Sequence, residues 1–137
     1  MTTVSIEEFC QALACAFIRA GDLRPDPDDR IAFVARRPAE QADECLRVEF
    51  DGVRDLVTRS RTSPPSGDDI VELSILELDG EPDRWRVRFN PWYLHEIEFR
   101  CRRIRVNAAE VTGRGRHLQD WFPATRPKMP PFKAGAA

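Results

Sequence analysis

The side chains best suited to nucleophilic catalysis or metal binding are scattered along this chain of 137 residues. No two cysteines have the C-x-x-C spacing of a zinc or redox site, and the histidines fall in different predicted loops. We therefore predict no metal and no cofactor, and we expect buried, free thiols in a reducing cytoplasm. These residues are Cys10, Cys15, Cys45, Cys101, His95 and His117.

Cys101 is the thiol whose neighbours could make it reactive. Its sequence neighbours are arginines, and positive charge lowers the pKa of an exposed thiol. However, Cys101 alternates in phase with Phe99, which places it on the buried face of a strand, where a thiol is inert. No G-x-S-x-G motif occurs, and neither histidine has an evident serine or cysteine partner. The sequence thus favours a protein that is not an enzyme, with a small enzyme of unrecognised site as an alternative.

Paired carboxylates, which could serve general acid–base catalysis, are predicted to serve the sheet instead. Glu96 and Glu98 fall on the outward face of one strand, opposite the arginines of the preceding strand. Ion pairs across a strand ladder contribute about a few tenths of a kcal/mol each. Acid–base catalysis would need a cleft around these carboxylates, which alternation does not predict.

Arginines recur on the predicted strands and in the glycine turn over residues 84–116, and they make nucleic-acid binding the sharpest alternative. Three share a strand face, two form a doublet, and nearby aromatic residues could stack on bases. Acidic residues interleave with them, and the net charge is −2 from 21 basic and 23 acidic groups. We therefore predict a solvated, ion-paired sheet face, with nucleic acid as an unlikely partner. The arginines of this alternative are Arg84, Arg86, Arg88, Arg102 and Arg103.

A surface that binds another protein is the function that the sequence favours. Two large aromatic residues lie in a predicted hairpin turn, where they could anchor an interface or fold back over the core. Acidic loops nearby would give such a surface negative patches that suit a basic partner. The candidate partner-binding residues are Trp92, Tyr93, Asp69, Glu72, Asp79 and Glu81.

The elements that must position these side chains are organised around residues 84–106. Two runs on either side of the turn at Pro91 alternate apolar and charged residues, which predicts antiparallel strands with one buried face. Further strands are predicted at 31–35, 45–50 and 70–78. Near the N-terminus, a capping box formed by Ser5 and Glu8 precedes apolar residues at helical spacing. This pattern predicts an amphipathic helix over about residues 5–20.

Breaks in the alternation predict the irregular positions of the strands. A β-bulge is predicted near Gly52, and another at Arg102–Arg103, where the alternation changes phase. The turn before residue 84 would place Ile75 opposite Val87 across a hairpin. Two glycines predict a flexible turn over residues 113–117.

Together these elements predict an α+β fold, with one N-terminal amphipathic helix packed on a mostly antiparallel β-sheet of about five strands. Residues 1–122 would form a single domain, because the length fits one core, and residues 123–137 a proline-rich, loosely ordered tail. No apolar run approaches the length of a membrane helix and no signal peptide is evident, so we expect no membrane partner and a cytoplasmic location.

Several segments of the strand region also resemble a known class of proteins. Phe50–Leu56, Asp69–Leu73, Arg84–Phe89 and Glu98–Val106 follow one another much as in the small β-rich immunity proteins found beside bacterial polymorphic toxins. The resemblance covers residues 45–111. It implies a non-catalytic cytoplasmic protein that binds and blocks a toxin, with no catalytic residues to carry over.

Overall fold

The computed structural model describes residues 2–13, 16–37, 44–60, 69–73, 75–81, 84–92 and 95–120. These residues contain one α-helix, α1 (Ile6–Leu13), one 3₁₀ turn (Ala20–Asp22) and twelve strands. The strands are β1 (Thr3–Ser5), β2 (Phe17–Arg19), β3 (Ile31–Arg37), β4 (Glu44–Asp51), β5 (Arg54–Ser60), β6 (Ile70–Glu72), β7 (Ile75–Glu81), β8 (Arg84–Trp92), β9 (His95–Cys101), β10 (Arg103–Val106), β11 (Ala109–Thr112) and β12 (Gly115–Asp120).

The strands form two sheets that share one core. The first has seven strands in the order β1-β11-β10-β4-β3-β2-β6, and the second has five in the order β12-β7-β8-β9-β5. Apolar side chains from both sheets and from α1 belong to one buried cluster. The predicted α+β fold with a helix on one five-stranded sheet is therefore wrong, because the described chain is mostly β. Alternation shows which face of a strand is buried, but not to which sheet the strand belongs.

The N-terminal helix begins as predicted but ends much earlier. The Ser5 N–H donates to Glu8 Oε1 at 3.3 Å and the Glu8 N–H donates to Ser5 Oγ at 3.1 Å, which confirms the capping box. The helix ends at Leu13, and residues 17–19 form β2 instead of a final helical turn. Ile18 lies within the predicted helix, but in the structure it is a buried residue of β2. The apolar spacing therefore did not separate the helix from the strand that follows it.

The phase changes at Gly52 and Arg102 are corners where the chain passes between the sheets. Asp51 ends β4 in the seven-stranded sheet, and Arg54 begins β5 in the five-stranded sheet. Arg102 separates β9 from β10 in the same way, and its N–H donates to the Asp51 carbonyl at 2.8 Å. The predicted bulge at Arg102–Arg103 is therefore wrong. Because both sheets face the same core, a chain that crosses from one sheet to the other shifts its alternation of apolar and charged residues, just as a β-bulge would.

The predicted strand over residues 70–78 is divided between the two sheets. Its first part, β6, pairs with β2, and its second part, β7, pairs with β8. Since β7 continues to Glu81, into the predicted turn, Leu78 lies opposite Val87 and the predicted pairing with Ile75 is wrong. The observed register of β7 against β8 differs from the predicted one by three residues. Because three is an odd number, the face of β7 that was predicted to be buried is the outward one.

Other strand predictions are confirmed. β8 and β9 are antiparallel, with Val87 opposite Phe99 and Phe89 opposite Ile97, and all four side chains are buried. The strands predicted at 31–35 and 45–50 lie within β3 and β4. The flexible turn predicted over residues 113–117 is wrong from Gly115 onward, because β12 begins there and pairs with β7.

Five buried phenylalanine rings join the layers of the core. The ring of Phe50, on β4, lies edge-on to three other rings. Its centroid is 6.3 Å from that of Phe9 on α1, 5.6 Å from that of Phe89 on β8 and 5.2 Å from that of Phe99 on β9. Phe33, on β3, lies 6.0 Å from the same ring. Edge-on pairs at these separations add to the stability that apolar burial provides. Phe50 therefore contacts the helix and both sheets.

Ala108 has a left-handed backbone conformation that favours glycine. Asn107 and Ala108 connect β10 to β11, with φ of 48° and 67°. A two-residue hairpin turn of this kind prefers Asn-Gly. We expect Ala108→Gly to raise the free energy of unfolding by about 0.5–1 kcal/mol, because glycine avoids the steric penalty of a Cβ atom. Urea denaturation measures the change.

A matched alanine in a strand is the control for this turn. Ala32 lies in β3, where glycine should lower the free energy of unfolding by about 0.5–1 kcal/mol. A rise in the free energy of unfolding in Ala108→Gly together with a fall in Ala32→Gly would establish that the turn is strained. A loss of stability in Ala108→Gly would contradict the expectation.

The predicted proline-rich tail at residues 123–137 lies outside the described residues. So do Trp121 and Phe122, and the single domain over residues 1–122 stays a prediction. In the part of the chain that the structure describes, no helix is long and apolar enough to span a membrane.

Candidate functional site

The outward face of the five-stranded sheet carries an ion-pair network centred on Glu77, which we call the Glu77 network. This buried carboxylate accepts hydrogen bonds from Arg86 at 3.1 Å, Arg88 at 2.8 Å and Arg116 at 3.1 Å. Burial alone would raise the pKa of Glu77, but the hydrogen bond from Arg116 and the charges of Arg88 and Arg116 outweigh it. The pKa of Glu77 is therefore below its usual range, and the group is a carboxylate at neutral pH.

A second network covers the outward face of the seven-stranded sheet. Arg105 lies 2.9 Å from Glu49 and 2.7 Å from Asp51. Arg103, its neighbour on β10, lies 2.8 Å from Glu110 on β11. Cationic and anionic side chains therefore alternate across the strands of this sheet.

Four of the five arginines of the nucleic-acid alternative are held by acids of the same chain. The predicted ion-paired sheet face is confirmed for these four residues. The hydrogen bond from Arg84 is also the main reason that the pKa of Glu81 is below its usual range. The four are Arg84, paired with Glu81, Arg86 and Arg88, paired with Glu77, and Arg103, paired with Glu110.

Three arginines near one corner make no ion pair with any described residue. Arg54 and Arg100 lie opposite each other on β5 and β9, and Arg100 also lies opposite Arg86 on β8. Like charges in directly opposed positions destabilise a sheet. The Glu77 carboxylate pairs with Arg86, whereas Arg54, Arg100 and the exposed Arg102 beside them form no ion pair within the described residues; the charge of Arg100 does contribute to the low pKa of Glu81. Uncompensated charge of this kind is typical of a surface that meets an anionic group.

These arginines surround a cavity of about 220 Å³, together with Arg84. We call Arg54, Arg84, Arg100 and Arg102 the arginine corner. A Cβ atom on Gly52 would lie 3.0 Å from Arg102 Cγ, and the φ of Gly52 is 70°, so glycine allows Arg102 to lie across the corner. A groove of about 640 Å³ adjoins the cavity and shares Gly52, Arg54 and Arg102 with it.

Cys101 contributes to the wall of this cavity but is only 2% exposed, which confirms that it points inward. Burial, with a smaller effect of Asp51, raises the pKa of its thiol to about 12. Cys10 is also buried, with a pKa raised by burial to about 12. Cys45 is exposed, so the expectation of buried thiols is wrong there, and Cys15 lies outside the described residues. Neither buried thiol is available as a thiolate at neutral pH.

The chemistry that the arginine corner offers is anion binding. A guanidinium group presents a planar set of donors that matches two oxygens of a carboxylate or phosphate at once. Of the two histidines, His117 lies away on β12 with Nε2 3.4 Å from Gln119 Oε1. Within the described ranges, no group of three or more histidine, cysteine or acidic residues is placed to hold a metal ion.

The predicted partner-binding residues are divided between the two sheets. Asp69 and Glu72 lie at β6, whereas Asp79 and Glu81 lie on β7 of the other sheet. Asp79 is 3.9 Å from Arg86 and Glu81 is 2.7 Å from Arg84, so their charge is partly neutralised. Trp92 ends β8, and Tyr93 lies outside the described residues. That these residues contact a partner stays a prediction.

The sequence analysis missed the exposure of β5. This strand is an edge of the five-stranded sheet, and each of residues 54–59 is exposed. Leu56 and Val57 are 38% and 41% exposed, respectively. The irregularity that was predicted near Gly52 falls in this strand, between Arg54 and Val57. The sequence signal was the failed alternation of Val53, Leu56 and Val57, which indicated a bulge rather than an uncovered strand.

Comparisons of the chain with protein-family models, with curated proteins and with solved structures find no match. The resemblance to immunity proteins therefore stays a prediction. Function has to be derived from the exposed strand β5 and the arginine corner beside it.

Proposed function

We propose that this chain is a non-enzymatic protein-binding module of the cytoplasm, in which β5 receives an extended acidic segment of a partner. The observation that carries the proposal is the exposure of apolar Leu56 and Val57 on an edge strand, beside arginines that form no ion pair with any described residue. We call Arg54, Leu56, Val57, Arg100 and Arg102 the β5 surface.

The edge position of β5 supports this mode of binding. In the described part of the chain β5 pairs only with β9, so one row of its backbone N–H and C=O groups faces outward. An extended peptide can add to such an edge through main-chain hydrogen bonds, while its side chains contact those of the edge strand. Leu56 and Val57 would then bury apolar surface against the added strand, which provides affinity.

The charge of the β5 surface indicates an acidic partner rather than the basic one that the sequence suggested. The acids expected to face a basic partner include Asp79 and Glu81, which are near arginines of the same chain. The arginines that form no ion pair with a described residue are Arg54, Arg100 and Arg102 instead. Complementary charge increases the rate of association and excludes partners of the wrong sign.

The resemblance to immunity proteins gives the most specific form of the proposal. In that form the partner is a toxin, and addition of one of its acidic segments to β5 blocks it. The three described cysteines are free thiols, which supports a reducing compartment such as the cytoplasm.

Capture of the partner by this chain of 137 residues from a lysate of its native host tests the β5 surface. We expect Arg54→Glu/Leu56→Asp to weaken the captured complex at least tenfold, because it reverses one charge and places another where the partner would bury an apolar group. Quantitative mass spectrometry measures the loss. Crosslinks should join an acidic segment of the partner to β5.

The matched control lies on the other sheet, where Val34 and Arg47 are exposed and lie opposite each other. Val34→Asp/Arg47→Glu introduces the same two changes of charge and should retain the partner. Equal retention by both double variants would overturn the proposal. Nuclease treatment of the lysate tests the nucleic-acid alternative, which the unpaired arginines favour, because only a nucleic-acid ligand would be lost.

A further inference from the structure

Strand β12 forms the other edge of the five-stranded sheet, at the opposite end from β5. All six of its residues, Gly115–Asp120, pair in one continuous register with β7, and within the described residues no strand pairs with its other side. A regular edge of this kind is a template on which a further strand can add. Although β12 also contacts α1, Arg116 and Leu118 are exposed, and the exposed fraction of Leu118 is 48%.

The sequence of β12 is complementary to itself. When two copies of a strand pair antiparallel around a two-fold axis, each residue lies opposite a fixed residue of the other copy. With the axis at Leu118, this residue lies opposite its own copy, and Arg116 lies opposite Asp120. His117 then lies opposite Gln119. The register therefore opposes two apolar residues at the axis, with residues of opposite charge on either side of them.

Other registers of this self-pairing oppose unlike residues. Directly opposite side chains of neighbouring strands lie on the same face of a sheet, so the axis has to pass through a residue and not between two. An axis at His117 would place Arg116 opposite Leu118. An axis at Gln119 would place Leu118 opposite Asp120. Both oppose an apolar residue to a charged one, so the axis at Leu118 is the register that the sequence favours.

The charges already present around Arg116 are compatible with this pairing. On its own sheet Arg116 lies opposite Asp79 and donates a hydrogen bond to Glu77 at 3.1 Å. The Glu77 carboxylate also accepts from Arg86 and Arg88, so three cations share it. The side chain of Arg116 remains 61% exposed, which leaves donors of its guanidinium group for an acid on a strand added to this edge.

We propose that β12 pairs antiparallel with β12 of a second copy of this chain, around a two-fold axis at Leu118. The two five-stranded sheets then join into one sheet across the axis, in which β12 is no longer an edge. The β5 strands lie at the two outer ends of the joined sheet, so the dimer leaves both β5 surfaces accessible. Pairing of β12 does not depend on the proposed function. Where that function holds, the dimer offers a partner two β5 surfaces, which raises its avidity.

Sedimentation equilibrium of the purified chain of 137 residues, over a range of concentrations, tests the pairing. We expect reversible formation of a species with twice the 15.7 kDa mass of one chain. Leu118→Arg should weaken the dimer roughly tenfold or more, because two arginines then lie opposite each other at the axis. In the monomer this arginine lies opposite Glu77, so the variant should keep its fold, which circular dichroism checks. Val34→Arg is the matched control, because Val34 is an exposed apolar residue of β3 in the other sheet, and it should leave the dimer unchanged.

A mixture of two variants locates the axis. Leu118→Asp should weaken its own dimer in the same way as Leu118→Arg does. An equimolar mixture of the two should associate more tightly than either alone, because opposite charges then meet at the axis. Only a residue that lies opposite its own copy can give this result with two substitutions at one position. A mixture of the folded variants that associates no better than either alone overturns the proposal.

The remaining outcomes are equally decisive. A wild type that stays monomeric at every concentration, or a folded Leu118→Arg that dimerises as well as the wild type, overturns the proposal. Asp120→Arg, which would oppose two arginines on each side of the axis, repeats the test if Leu118→Arg does not fold. Leu56→Asp should leave the dimer intact while it weakens capture of a partner, so failure of this pairing is distinguishable from failure of the β5 surface. Loss of the dimer in Leu56→Asp with retention in Leu118→Arg would place the contact at β5 and also overturn the proposal.

Discussion

We expect Phe50→Ala to lower the free energy of unfolding by about 3–5 kcal/mol, the range for a large aromatic side chain removed from a core. Phe50 is fully buried, and its ring meets Phe9, Phe33, Phe89 and Phe99. The substitution leaves a cavity between the helix and both sheets, where no single element can move to fill it. A domain of this size is stable by about 5–15 kcal/mol, so the variant should unfold at a much lower guanidinium concentration.

Two further variants separate the position of Phe50 from the general effect of removing a phenylalanine. Phe17 is half-buried on β2, and Phe17→Ala should cost about 1 kcal/mol, because the outward position can be refilled by water. Phe50→Leu retains much of the volume and should cost about 1–1.5 kcal/mol. A cost of Phe50→Ala no larger than that of Phe17→Ala would contradict a shared core built around this ring.

The buried positions of the strands were predictable from the sequence because each strand has one apolar face. Phe89, Phe99 and Cys101 are buried as their alternation indicates. The two sheets were not predictable, because a strand of either sheet shows the same alternation against the shared core. At Arg102 the chain leaves the five-stranded sheet and enters the seven-stranded sheet. In the sequence this crossing appears only as a shift in the apolar alternation, which a bulge in one continuous strand would also produce.

The charges of the candidate site were less predictable than the core. The sequence indicates that Arg86, Arg88 and Arg100 are outward, but not which of them finds an acid. Glu77 became the partner of Arg88 because β7 and β8 pair in a register that the sequence analysis did not anticipate. Arg100 lies opposite Arg54 because β5 joins the second sheet after the corner. Ion pairs and unpaired charges therefore depend on long-range pairing, which apolar alternation does not encode.

The Glu77 network should make a large, pH-dependent contribution to stability. Glu77→Gln leaves Arg86, Arg88 and Arg116 grouped around a neutral amide. At neutral pH we expect the variant to lose about 2–3 kcal/mol of unfolding free energy, less than for a fully buried ion pair because the guanidinium groups reach water. Urea denaturation of both proteins between neutral and acidic pH measures this difference.

The sign of the pH dependence follows from the pKa of Glu77, which is lower in the folded chain than in the unfolded chain. Its contribution is complete above the ordinary pKa of glutamate, about 4.3, and is lost as the pH falls through the lower folded value. The wild type and Glu77→Gln should therefore converge in acid and differ at neutral pH. Glu98→Gln is the control, because Glu98 lies on the same face of the sheet and forms no ion pair within the described residues, so its effect should stay within about 0.5 kcal/mol. A constant difference between wild type and Glu77→Gln at every pH would show that Glu77 acts by packing and not by charge.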